Sequence, residues 1–274
     1  KRLIPEDWNE GSTNQEYWLQ IEAYSKLAVE QAIEDKTRIP VLIDYLGNLT
    51  RASMDTFLEF LVSPDVDKLS MEDKLPIWNE LFDFIVQNRK YAEAKWAAPS
   101  EIIERVERVA NALEPGSASQ KFRRLFVQGE FDLYEQKDDF DLARTMLIEK
   151  RVDAVKAIYM ESGLDGLLAF GNSVESPGHV GEAIALSNVD GLDDQILPRL
   201  LEDDRKPVIS FTFGYVRNRF QTSGEEWLDR LKINDWTSTQ HAHFLAFLPF
   251  VPEVWTLADK LPREAASTYW ERCF

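Results

Sequence analysis

The sequence predicts an all-α chain of short helices joined by tight breaks. Three observations carry that expectation. Apolar residues recur at i, i+3, i+4 and i+7 through most of the chain, as in Trp78, Leu81, Phe82 and Ile85. Prolines such as Pro40, Pro252 and Pro262 stand just inside segment starts, where the first helical turn has no N–H bond to lose. Residues 236–273 then show the pattern in miniature, as three helices separated by prolines. Their apolar sets include Val254, Leu257, Ala258 and Leu261, followed by Ala266, Tyr269, Trp270 and Cys273.

Taken in order, Thr13-x-x-Glu16 reads as a capping box opening a helix to about Ile33. Pro40 opens a second segment, Val41 to Leu46, closed by Gly47; the same apolar run also suits a buried strand. Thr50 starts a third helix with Met54, Phe57, Leu58 and Leu61 on one face, ending at Ser63-Pro64. Ser70-x-x-Asp73 resembles a capping box for the helix of Trp78, which should run to about Trp96. Ser100 is the expected cap of a helix carrying Ile102, Ile103, Val106, Val109 and Leu113. The run Glu114-Pro115-Gly116-Ser117 breaks the chain.

A helix from Ser119 to Tyr134 follows, and Asp138 or Asp139 begins the longest unbroken pattern, up to about Met160. Between Gly163 and Gly191 the character changes, with six of the twelve glycines in that stretch. Small residues let helices approach closely, and they also make hinges; a hinge is expected over 163–191. Leu192 to Leu201 is one more short helix. Residues 207–220 are ambiguous: Ile209, Phe211, Phe213 and Tyr215 alternate as in a strand, while Ile209, Phe213, Val216 and Phe220 line one helical face. Their setting among helices favours the helix. Ser223-x-x-Glu226 then caps the helix of Trp227, Leu228 and Leu231.

The resulting dozen or more helices suit a solenoid or a bundle. In helix length and turn spacing the chain resembles armadillo, HEAT and tetratricopeptide α-solenoids, with no single family among them matched residue by residue. That resemblance implies an α-solenoid or superhelix of short antiparallel helix pairs. It would form a single helical-repeat domain over 1–274.

Composition narrows the function. The 274 residues are 44% apolar and 29% charged, which is a globular composition. With 48 acidic and 31 basic residues the net charge is −17, so nucleic acid and anionic membranes are not expected partners. Cys273 is the only cysteine, which suits a reducing, cytoplasmic setting. The opening KRLIPEDWNEGS has no initiator Met and no signal core, and the chain stops inside an amphipathic pattern. A segment of a longer protein is the expectation.

Catalytic signals are few. His241-x-His243 would point two imidazoles about 200° apart on a helix, so a solvated or capping role is expected rather than metal binding. His179 reads as a helix-terminal histidine. Neither G-x-G-x-x-G, G-x-x-x-x-G-K-[ST] nor G-x-S-x-G occurs, and no cofactor is expected. Acidic residues gather at Glu130, Asp132, Glu135, Asp138, Asp139 and Asp141, and again at Asp190, Asp193 and Asp194, without calcium-loop spacing.

These features favour a non-catalytic protein-interaction or scaffolding segment, with Trp227, Trp236, Arg217 and Arg219 as candidate contacts to a protein partner. The alternatives are an all-α glycan-processing enzyme using paired carboxylates and a ligand-sensing arm of a multidomain switch protein.

Overall fold

The computed structural model describes residues 15–129, 133, 135, 139–187, 189 and 191–273. They form fourteen α-helices, a few 3-10 turns and no strand among the described residues. The proposed capping box at Thr13 and the acids Glu130, Asp132, Asp138 and Asp190 lie outside them. The chain divides into two compact units. Residues 1–116 with 135–139 make the first, and 117–134 with 140–274 the second. The chain thus passes between the units at Gly116–Ser117 and again on either side of 135–139, and residues 163–191 lie wholly inside the second unit.

The first unit holds α1 (Gln15–Glu34), α2 (Ile39–Asp44), α3 (Arg51–Leu61), α4 (Pro64–Asp67), α5 (Met71–Lys90) and α6 (Ser100–Ala112). Helix α2 resolves the ambiguity of its apolar run. Pro40 occupies its first turn, and Ile39, Leu42 and Ile43 are buried at helical spacing. The core joins these to Phe57 and Leu61 of α3, Ile77 and Leu81 of α5, and Val106 of α6. Ser70 caps α5 as its spacing predicts: its hydroxyl accepts from the Asp73 N–H at 3.1 Å and donates to the Asp73 carboxylate at 2.6 Å. Ser100 does not cap α6. Pro99 stands at the N-cap with no side-chain bond, and Ser100 is already the first helical residue.

The second unit holds α7 (Ala118–Phe122), α8 (Phe140–Ser173), α9 (Pro177–Leu186), α10 (Leu192–Leu200), α11 (Lys206–Arg230), α12 (Ser238–Phe247), α13 (Pro252–Ala258) and α14 (Arg263–Arg272). Two of these helices are bent where the sequence expects boundaries. Gly163 (φ 66°) kinks α8 and Gly224 (φ 53°) kinks α11, both in a region that glycine alone adopts without strain.

Helix α9 packs between α8 and α11, and α14 packs on α12. The α9–α11 crossing is very close. A Cβ added at Gly181 would stand 2.0 Å from the Phe211 carbonyl oxygen, and one at Gly214 would stand 2.1 Å from that of Gly178. The glycines of 163–191 thus serve close packing at 178 and 181 as well as backbone reversal at 163 and 191. Within the terminal stretch Tyr269 is fully buried, while Trp270 and Cys273 are half-buried, with Trp255 of α13 6.4 Å from Trp270.

Residues 207–220 are helical, but the buried face is not the one that Ile209, Phe213, Val216 and Phe220 outline. Val208, Phe211, Thr212, Tyr215 and Val216 are buried, whereas Phe213 is 41% exposed. Apolar residues surround this part of α11, and the contact with α9 selects which of them enter the core.

Candidate functional site

Helix α11 carries three of the four candidate contact residues, and its environment separates them. Trp227 is fully buried. Its ring packs against Phe244 at 5.8 Å and receives the Arg219 guanidinium at 5.8 Å. A buried ring offers no area to a partner, so Trp227 is a core residue rather than a surface contact.

Arg219 is equally committed. Its Nη2 donates to Asp193 Oδ2 at 2.7 Å and its Nε to Oδ1 at 3.2 Å, while the Tyr215 hydroxyl donates to the same Oδ1 at 2.6 Å. Burial, reinforced by the Asp193 carboxylate, pushes the Tyr215 phenol far above its usual range, so it stays a donor. Burial alone would lower the pKa of Arg219, but the hydrogen bonds and charge of Asp193 outweigh it and hold the guanidinium charged. This partly buried network ties α10 to α11. Replacing Asp193 with alanine strands the guanidinium and the phenol, and is expected to cost about 2–3 kcal/mol. A double-mutant cycle with Arg219→Met checks the value by urea unfolding; additive losses would show that no such coupling exists.

Arg217, two residues earlier, lies on the exposed side. Its guanidinium stacks 5.5 Å from the ring of Phe213 and makes no ion pair among the described residues. Phe213 in turn meets the Phe247 ring of α12 at 6.3 Å. Trp236 is half-buried, edge-on to Phe244 at 5.2 Å and 5.8 Å from the His241 ring.

No group of three His, Cys, Asp or Glu side chains is placed to hold an ion among the described residues. His241 and His243 share α12, whose N-terminus closes with a full capping box between Thr237 and Gln240. Of the solvated or capping role expected for the pair, the solvated one does not hold for His243, whose partner is the C-cap residue of α10. His243 is 5% exposed, and its Nδ1 meets the Leu201 carbonyl. His179 sits in the first turn of α9, with Nδ1 3.1 Å from Glu182.

Comparison with known proteins gives no identity. No protein-family model, no curated protein and no solved structure matches this chain. Its chemistry is therefore read from its own residues.

The second unit also contains a cavity of about 520 Å³ between the second half of α8, the end of α10 and the start of α11. Leu168, Leu200, Val208 and Phe211 supply its apolar wall, and Asp165, Asn172, Arg199, Asp203 and Arg205 its polar one. Both aspartates are engaged. Asp165 accepts from Arg199 Nη1 at 2.7 Å, and Asp203 receives Nε and Nη2 of Arg205 at 3.0–3.1 Å and 2.6 Å. Those bonds hold the Asp203 carboxyl below the usual carboxylate range. Asp203 is thereby kept as an acceptor rather than as the proton donor that a glycosidase pair requires of one member.

Among the carboxyls, Glu80 of α5 is held above its usual range, first by burial and then by Asp83 and Asp44. The sequence reading passed over Asp165, Arg199 and Arg205, because each is an ordinary charged residue on a different element. Only the fold brings them to one cavity.

Proposed function

We propose that the chain is a non-catalytic protein-interaction module whose helices are stacked in short pairs like those of α-solenoids, and that it recognises a carboxylate-bearing segment of a partner protein. The observation that carries the reading is Arg217, a guanidinium without an ion pair among the described residues, stacked on the exposed ring of Phe213. In a chain of net charge −17 several arginines find an internal acid, as Arg219, Arg199 and Arg205 do. One with no acid partner among the described residues, beside an aromatic ring, offers a planar fork to a carboxylate and an apolar surface to its neighbours.

The half-buried Trp236 and Trp255 and the exposed Phe250 add aromatic area in the same unit, the last with its ring 4.8 Å from that of Trp255.

The test uses affinity capture from lysate of the source cell, comparing the wild-type chain with Arg217→Glu and Phe213→Ser. Both positions are exposed, so thermal unfolding should stay within about 1 kcal/mol of wild type. A specific captured protein is expected, with recovery lowered tenfold or more by either substitution. Capture that is unchanged in both variants, or no specific protein at all, would overturn the proposal.

A further inference from the structure

The cavity in the second unit has a composition that selects a ligand class. Its polar wall contains two arginines and two aspartates, so it is locally neutral. Within that wall several groups remain uncommitted. Arg199 uses only Nη1, leaving Nε and Nη2, and Arg205 uses Nε and Nη2, leaving Nη1. Asp165 accepts through Oδ1 alone, leaving Oδ2 free, and the Asn172 side chain lies on the same wall. Donors for a carboxylate and an acceptor for an ammonium thus border one space, next to an apolar wall from Leu168, Leu200, Val208 and Phe211.

We propose that this cavity binds a small zwitterion with an apolar body, namely an α-amino acid of the leucine type or a short apolar peptide with free termini. The carboxylate takes the spare N–H groups of Arg199 and Arg205, and the ammonium meets Asp165 Oδ2 and the Asn172 carbonyl. The aliphatic side chain covers the apolar wall. Charge decides against the simpler ligands. A plain anion would enter a chain of net −17, and a plain cation would face two guanidiniums; a neutral dipole leaves the local balance intact.

Size is compatible, since about 520 Å³ lies within the roughly 300–1,000 Å³ typical of small-molecule sites. The Arg199–Asp165 pair is well exposed on both sides, so it is held weakly and can open its fork to a ligand. This inference does not rest on the Arg217 surface, and either can fail without the other.

Isothermal titration of the full chain tests it with four probes: L-leucine, the dipeptide Leu-Leu, N-acetyl-leucine and leucinamide. Saturable binding of leucine or of Leu-Leu is expected, and which of the two binds more tightly distinguishes a free amino acid from a peptide. N-acetyl-leucine lacks the ammonium and leucinamide the carboxylate, so each should bind at least about tenfold more weakly. Arg199→Gln should weaken leucine or Leu-Leu by a similar factor.

Ala169 is exposed on the cavity wall, and Ala169→Trp should fill the space and abolish binding without changing the thermal midpoint. Absence of saturable heat with every probe would overturn the proposal. So would N-acetyl-leucine or leucinamide binding as tightly as the zwitterions, or binding that survives in both variants.

Discussion

Truncation of Trp227 to alanine is expected to cost about 4 kcal/mol, because removal of a fully buried indole loses its transfer free energy and leaves a cavity. Arg219 would lose the ring it stacks on, and Phe244 its neighbour at 5.8 Å. At roughly 2–4 °C per kcal/mol for a domain of this size, the thermal midpoint should fall by about 8–16 °C. The phenylalanine variant separates packing from polarity. The indole Nε1 is buried with no hydrogen-bond partner among the described residues, so Trp227→Phe discards an unsatisfied donor while keeping most of the ring. Its loss should stay below about 1.5 kcal/mol. An alanine variant with an unchanged midpoint but impaired partner capture would restore Trp227 to the surface and refute its core role.

Alanine at Gly181 or Gly214 is expected to destabilise the second unit by about 3 kcal/mol or more. On an exposed helix the same exchange would gain about 0.5–1 kcal/mol, since alanine loses less backbone freedom than glycine. Here the sign reverses. The new methyl would lie 2.0 Å from the Phe211 carbonyl oxygen or 2.1 Å from that of Gly178, and the obstacle in both cases is backbone of a facing helix. It cannot swing aside as a side chain can, so α9 and α11 must separate and expose Val180, Phe211 and Tyr215. Gly116→Ala is the control, as nothing lies within 4 Å of its added carbon. Urea unfolding of the three variants measures the difference. Equal stability of Gly181→Ala and Gly116→Ala would mean that the close crossing is not what the two glycines provide.

The local structure was largely written in the chain. Helix spacing, the proline first turns of α2 and α13 and the Ser70 cap all follow from residues within one or two turns of each other. The kinks at Gly163 and Gly224 were legible as boundaries for the same reason. The candidate surface was only half legible. Arg217 and Arg219 look alike in sequence, two residues apart and flanked by aromatics. Asp193, 26 residues before Arg219, distinguishes them by claiming only one. Trp227 looked as available as Trp236 because a tryptophan carries no sign of whether it is covered.

What the sequence determined by itself is most of the helices, since hydrogen bonding and amphipathic spacing repeat every few residues. The helix expected from Ser119 to Tyr134 is a miss, for α7 ends at Phe122 and a 3-10 turn over Arg123–Phe126 follows. Tertiary structure alone decided which side of each helix is inside. Around residues 208–216 of α11 apolar side chains point in nearly every direction, so periodicity selects no face. The face was set by the one approach that Gly178, Gly181 and Gly214 permit, backbone against backbone. That contact buries Phe211 and Tyr215, turns Phe213 and Arg217 outward, and sets Phe211 and Val208 on the wall of the cavity. Close packing between distant segments has no period, and so the sites it creates appear only once the chain is folded.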